Sequence, residues 1–213
     1  MNALVILGLI FLLGAVLAMF YARSGQGVVV QAAVTKPDLP SLPRDPVTGA
    51  YTFASLNAHV AERLKNADVE AALGGFALLL AGFEPAVRAD REQTPAIDEA
   101  DLARIAKRLA QALRSSDFLA RTDDGLLAVV VPQVSDRETA ARVAQKVIES
   151  ARLRDKEEGV SRELETTTHI GISLFPGDAQ DVESLLADAK QALDAARREG
   201  TGSVRFFEAP NPA

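Results

Sequence analysis

The chain contains no cysteine and no tryptophan. The first absence excludes disulfides, thiolate metal sites and a thiol nucleophile. The second, with aromatics at only 5% of residues, argues against platforms on which nucleobases stack. The two histidines, His59 and His169, are too few for a histidine-based metal site without carboxylate help. Positive charge is not in excess either: the net charge is −6. No basic face for nucleic acid is therefore expected, and nucleic acid is not among the expected partners. What is present, 48% hydrophobic and 24% charged residues over 213 positions, suits one globular domain plus an appendage.

The appendage lies at the start. Ala3 to Tyr21, ALVILGLIFLLGAVLAMFY, is apolar and uncharged, close to the roughly 20 residues a helix needs to cross a hydrocarbon core. A secretory signal ordinarily opens on Lys or Arg, whereas this run follows Met1-Asn2. The expectation is an uncleaved, single-pass transmembrane helix over 3–21. Arg23 and Lys36 follow it and no basic residue precedes it. That asymmetry places the C-terminal bulk in the cytoplasm, with the anchor in the inner (cell) membrane. Residues 22–44 read as a linker stiffened by Pro37, Pro40 and Pro43.

From Asp45 the pattern alternates helix and strand, and residues 45–208 are expected to form one domain before a short tail, 209–213. Tyr51 to Asn66 is expected to be helical, with Leu56, Val60 and Leu64 on one face. Gly74 to Leu80 reads as a buried central strand. Asp98 is expected to cap the next helix with Asp101 as its N3 acid, followed by the stripe Leu102, Ile105, Leu109 and Leu113. Asp136 to Leu153 reads as a helix with Val143, Val147 and Ile148 inward. Arg154 to Gly159 reads as a charged loop, and Glu163 to Leu174 as a strand. Val182 to Arg197 is the last helix, closed by Gly200 as an αL cap, and Ser203 to Phe207 a final strand. His59 is expected on the exposed side of the first helix, His169 within a strand, and Glu84 and Asp90 at the surface. The fold class is α/β in the α+β sense.

Between the two middle helices, Leu119-Ala120-Arg121 runs into Thr122-Asp123-Asp124-Gly125, and Leu126 to Val131 runs out. Asp-Gly between two strand-like runs signals a hairpin with a tight primed turn, where Gly tolerates positive φ. This hairpin resembles that of the GGDEF domain of diguanylate cyclases, which join two GTP into cyclic di-GMP. Other stretches resemble the family in the same order. Asp45-Pro46-Val47-Thr48-Gly49 is similar to its opening D-x-L-T-G. Ile170-Gly171-Ile172 is similar to its S-I-G-V strand, with His169 in place of Ser. Ala196-Arg197 before Gly200 is similar to its closing A-K-x-x-G. The implied fold is nucleotidyl-cyclase-like, a mainly antiparallel sheet wrapped by helices.

The resemblance also implies what has changed. The family holds Mg²⁺ with an Asp at the end of the first central strand and a carboxylate from the turn. The matching residues are Gly82, and Gly125 with Leu126, none of which has a side-chain oxygen. Asp123 and Asp124 replace the two turn glycines and would repel a triphosphate. The guanine-reading Asn matches Asp90 and its partner Asp matches Glu99. The phosphate-binding Lys matches Arg197, the following Arg matches Thr201, and the Asp of the A-D pair matches Lys190. No cyclase activity, resident cofactor or metal site is expected.

One family feature keeps its spacing. Arg114-Ser115-Ser116-Asp117 matches the product-binding R-x-x-D, with Arg114 nine positions before Asp123. Arg offers a planar fork for phosphate or a guanine edge, and Asp accepts from guanine N–H groups. Arg142 and Lys146, at i, i+4, match the basic residues of the next helix. The expected ligand is thus cyclic di-GMP on Arg114, Asp117, Arg142 and Lys146, in a catalytically inactive, membrane-anchored receptor. The alternatives are residual guanine-nucleotide binding at Glu99 and Arg197, and a ligand-independent scaffold or dimerisation module. In the scaffold reading the partner is another protein or a second copy of the chain, and the R-x-x-D pair is a solvated ion pair.

Overall fold

In the computed structural model, which describes residues 42–85, 96–134, 136–152, 166–200 and 202–209, the run FALLLAGFEP forms the middle strand of a sheet. The elements are α1 (Phe53–Leu64), α2 (Ala67–Ala72), β1 (Phe76–Pro85), α3 (Glu99–Ala112) and β2 (Phe118–Arg121). They continue with β3 (Leu127–Pro132), α4 (Arg137–Ala151), β4 (Thr166–Phe175), α5 (Val182–Glu199) and β5 (Val204–Phe206). The strand order is β2-β3-β1-β4-β5. All neighbours are antiparallel except β4 and β5.

The sheet is covered on both sides, which is why β1 and β3 read as continuous apolar runs rather than alternating ones. Ala77, Leu79 and Ala81 of β1 face α3 and α4 with Ile105, Leu109, Ala144 and Val147. Phe76, Leu78 and Leu80 face α1 and α5 with Leu56, Val60, Leu185 and Leu193. The helix starts follow their caps. Thr52, Asp98, Asp136 and Asp181 each accept a hydrogen bond from the backbone three residues on. Asp98 and Asp101 complete the expected capping box, and Gly200 ends α5 at φ +86°.

Two details depart from the sequence expectation. The short helix α2 was not foreseen because it has no core stripe: Val69 and Leu73 are among the exposed large hydrophobics. β1 runs on to Pro85, beyond Leu80, because β4 is long enough to pair with it through Pro85↔Thr166. The glycine pair before β1 is required at Gly75, where a Cβ would fall 2.0 Å from the Phe175 carbonyl oxygen.

Among the described residues no helix is long and apolar enough to cross a membrane. The expected membrane segment, Asp90, the 154–159 loop and Thr201 lie outside those residues.

Candidate functional site

The hairpin between β2 and β3 is closed by Thr122, whose N–H donates to the Leu126 carbonyl at 2.9 Å. The Gly125 N–H donates to the Thr122 carbonyl at 3.0 Å. Positive φ falls on Gly125 alone, at +82°. This is a three-residue loop, a type I turn followed by an αL glycine, and not the expected two-residue primed turn. The Thr122 side chain accounts for the difference. Its hydroxyl donates to Asp124 Oδ1 at 2.5 Å and accepts from the Leu126 N–H at 3.0 Å, holding one further residue inside the loop. Lys190 of α5 donates to Asp124 Oδ2 at 2.6 Å. Thr122 and Lys190 hold the Asp124 carboxyl below its usual range, against the opposing effect of desolvation, the largest single influence. Asp123 is exposed.

A second cluster sits on the same face of the sheet, at the end of β1. A Cβ on Gly82 would meet Arg197 Nη2 at 2.6 Å, with Cζ and Nε at 3.2 and 3.3 Å. The guanidinium therefore fills the space over this glycine. Arg197 Nε lies 3.2 Å from Glu84 Oε1, at ion-pair distance but not aligned for a hydrogen bond. His169 is opposite Gly82 in the register. It is buried, with Nε2 3.8 Å from Glu84 Oε2. Glu84 is exposed, as expected, and its carboxylate lies beside the Arg197 guanidinium and the His169 ring. No local spacing signals this grouping, because it arises from the pairing of two distant strands.

Arg121, at the end of β2, ties the domain opening to α3. Its guanidinium donates to both oxygens of Glu99 at 2.7 and 2.8 Å and to Asp45 Oδ1 at 3.3 Å. Asp45 also accepts from the N–H and hydroxyl of Thr48 at 2.8 and 2.7 Å. Thr48 and Arg121 keep its carboxyl below the usual range although desolvation, the largest influence, opposes them. Both Glu99 oxygens, which the alternative of residual guanine-nucleotide binding would use, are occupied by Arg121.

The R-x-x-D segment forms a compact turn at the other end of β2. Asp117 Oδ2 accepts from the Arg114 backbone N–H at 2.7 Å, and the Asp117 N–H donates to the Arg114 carbonyl at 3.0 Å. The carboxylate thus pairs with the backbone of Arg114 rather than with its guanidinium. Arg114 is exposed, and its guanidinium has no hydrogen bond or ion pair among the described residues. Phe118 pairs with Val130 and β3 ends at Pro132, so α4 begins at the same end of the sheet as this turn. Arg142 and Lys146 are both exposed on α4. Arg142 is held by Glu138 at 2.7 Å and Thr139 at 2.9 Å. The four expected ligand residues share one end of the fold; Arg114 and Asp117 are joined through the Arg114 backbone, and no hydrogen bond or ion pair links them to Arg142 or Lys146 among the described residues.

Next to this turn lies a feature that sequence reading missed. The Phe118 ring is sandwiched between Tyr51, with centroids 4.2 Å apart, and His59, 4.1 Å apart. Arg44 covers the far side of Tyr51 at 3.9 Å. His59 is therefore packed, not exposed as expected. Burial and, second, the charge of Arg63 lower its pKa to about 4. A lone histidine one turn before Arg63 carries no signal of a stack with a residue 59 positions away.

This fold is the α+β, cyclase-like fold with a mixed sheet, and the sequence match agrees. Residues 97–203 match the family described as diguanylate cyclase, GGDEF domain. The chain belongs to the GGDEF family, and hence to cyclic di-GMP signalling proteins. It is 34% identical over 115 residues to the diguanylate cyclase TpbB of Pseudomonas aeruginosa, covering 52% of this chain and 25% of that protein. To an uncharacterized signaling protein of Caulobacter vibrioides it is 28% identical over 165 residues, 77% of this chain and 20% of the relative. The chain spans about a quarter or less of these curated relatives. The structure of an N-terminally truncated TpbB from Pseudomonas aeruginosa comprising only the GGDEF domain gives a TM-score of 0.63 at 26% identity, covering 78% of this chain and 95% of that one. The GGDEF domain of DgcB from Caulobacter crescentus, solved in complex with cyclic di-GMP, shares the fold at 15% identity, with a TM-score of 0.53 and coverage of 78% and 93%.

Proposed function

We propose that this protein is a membrane-anchored receptor for cyclic di-GMP built on a GGDEF domain that no longer makes the dinucleotide. The observation that carries this reading is the contrast between two arginines. The Arg197 guanidinium fills the space over Gly82, whereas the Arg114 guanidinium is unpartnered among the described residues and exposed.

The residues at the first corner do not fit a divalent cation. Magnesium requires several oxygen ligands in near-octahedral array. Gly82, Gly125 and Leu126 supply none from their side chains, and a fixed positive charge already sits over Gly82. Asp124, one of the two turn carboxylates, is paired with Lys190. Phosphate-transfer chemistry has no electrophilic centre in such a corner. At the other end of β2, Arg114 offers a free planar donor set of the kind that pairs with phosphate or with guanine O6 and N7. Asp117 has its backbone fixed beside it. Arg142 and Lys146 add charge from α4, and Arg142 joins a ligand only by leaving Glu138. That tie is the one observation favouring a ligand-independent scaffold.

Incubation of the full chain with GTP and Mg²⁺ or Mn²⁺ is expected to yield no cyclic di-GMP, while cyclic di-GMP is retained by the protein in equilibrium dialysis. Product formation would overturn the first half of the reading, and free passage of the dinucleotide the second.

A further inference from the structure

A cavity of about 320 Å³ opens beside the hairpin turn, where the first residue of α1 and the middle of α5 come together over the central strand. Phe53, Leu80, Leu126, Leu186 and Ala187 give it a largely apolar wall, and the polar groups of the hairpin and Lys190 make up the rest. It belongs to the hairpin end of β2 and thus lies apart from the Arg114–Asp117 turn at that strand's start. Taking about 30 Å³ as the share of one liquid water, the volume equals roughly ten waters. It is near the lower limit of small-molecule sites.

The polar groups lining the cavity can be accounted for one by one. The Thr122 hydroxyl is taken by Asp124 and by the Leu126 N–H. One Asp124 oxygen takes that hydroxyl and the other takes Lys190, so this charge is cancelled within the protein. Asp123 remains. It is exposed, and its carboxylate has neither a hydrogen bond nor an ion pair among the described residues. The cavity thus combines an apolar interior with one uncompensated negative charge.

We infer that this cavity binds a small cationic amphiphile, a molecule with an aryl or branched-alkyl body and a single ammonium group. Burial of the apolar body supplies most of the affinity. The Asp123 carboxylate, in water, contributes modestly to affinity and mainly selects the sign of the charge. Nucleotides and other phosphates are disfavoured by the same carboxylate. The inference stands independently of cyclic di-GMP binding at Arg114.

Three matched compounds test it on the full chain: phenethylamine, its neutral analogue 2-phenylethanol, and the anion 3-phenylpropanoate. The readout is the methyl resonances of Leu80, Leu126 and Leu186. Phenethylamine is expected to shift all three, 2-phenylethanol to shift them with roughly three-fold weaker affinity, and the anion to bind more weakly still. Asp123→Asn should bring the amine down to the level of the alcohol and leave the alcohol unchanged. Leu186→Phe, which fills the space from within, should abolish binding of both. No shift with any compound, equal affinity for amine and anion, or an amine affinity unmoved by Asp123→Asn would each overturn the assignment. So would full retention of binding in a folded Leu186→Phe variant.

Discussion

Gly82 and Arg197 show how a single residue pair changes what a corner of this fold can do. A glycine at the end of β1 leaves room for a guanidinium, and the guanidinium occupies it. Restoring a carboxylate at that place alone should therefore fail to restore a metal site. In Gly82→Asp the new oxygen meets the mobile end of Arg197 and forms an internal ion pair. The expected outcome is a folded variant with no bound Mn²⁺ by electron paramagnetic resonance. A bound-ion spectrum would contradict the occupation of this space by the Arg197 guanidinium. His59 gives a second test at this scale. Its pKa is depressed from 6.5 to about 4, so between these values the unfolded chain binds more protons than the folded one. The contribution of His59 to stability is complete above about pH 6.5 and falls as the pH drops toward 4. His59→Phe keeps a ring against Phe118 and removes the titration. Its melting temperature should fall less between pH 7 and pH 5 than that of the parent, and an identical fall would refute the assignment.

At the scale of elements, the close approach of β4 to α5 decides how the second face of the sheet is built. A Cβ at Gly171 would lie 2.1 Å from the Ala189 carbonyl oxygen and 2.2 Å from the Leu193 nitrogen. Both are helix backbone and neither can step aside. Gly171→Ala should cost about 3 kcal/mol or more in chemical denaturation, the upper end of overpacking penalties; a loss near zero would mean that α5 shifts freely. The elements themselves were largely legible in the sequence. Caps such as Asp98 with Asp101, and stripes such as Leu102, Ile105 and Leu109, act over a few residues and leave a local pattern. The pairing of distant elements does not. The sandwich of Phe118 between Tyr51 and His59, and the meeting of Glu84, His169 and Arg197, depend on sheet register, which no local spacing encodes. The hairpin lies between these cases: its Gly125 was readable, but its length depended on the Thr122 hydroxyl bonding across the loop.

On the scale of the whole molecule, the two ends of β2 carry different chemistry. At the hairpin end, ion pairs Lys190–Asp124 and Arg197–Glu84 satisfy one another. At the other end, Arg114 is held ready beside a backbone turn fixed by Asp117. Family membership and a cyclase-like fold are shared with diguanylate cyclases, so the proposed receptor role rests on this asymmetry. The apolar run 3–21 extends the proposal to the membrane. The full chain is expected in the membrane fraction after cell lysis and high-salt washing, and a variant lacking residues 1–21 in the soluble fraction; recovery of the full chain in the soluble fraction would remove the anchor from the account. The most direct test of the central claim is isothermal titration of the full chain with cyclic di-GMP, alongside Arg114→Ala. The account predicts saturable binding by the parent that is weakened at least about ten-fold in the variant, as expected when a charge-assisted donor pair is lost. No heat of binding, or equal affinity in parent and variant, would contradict it.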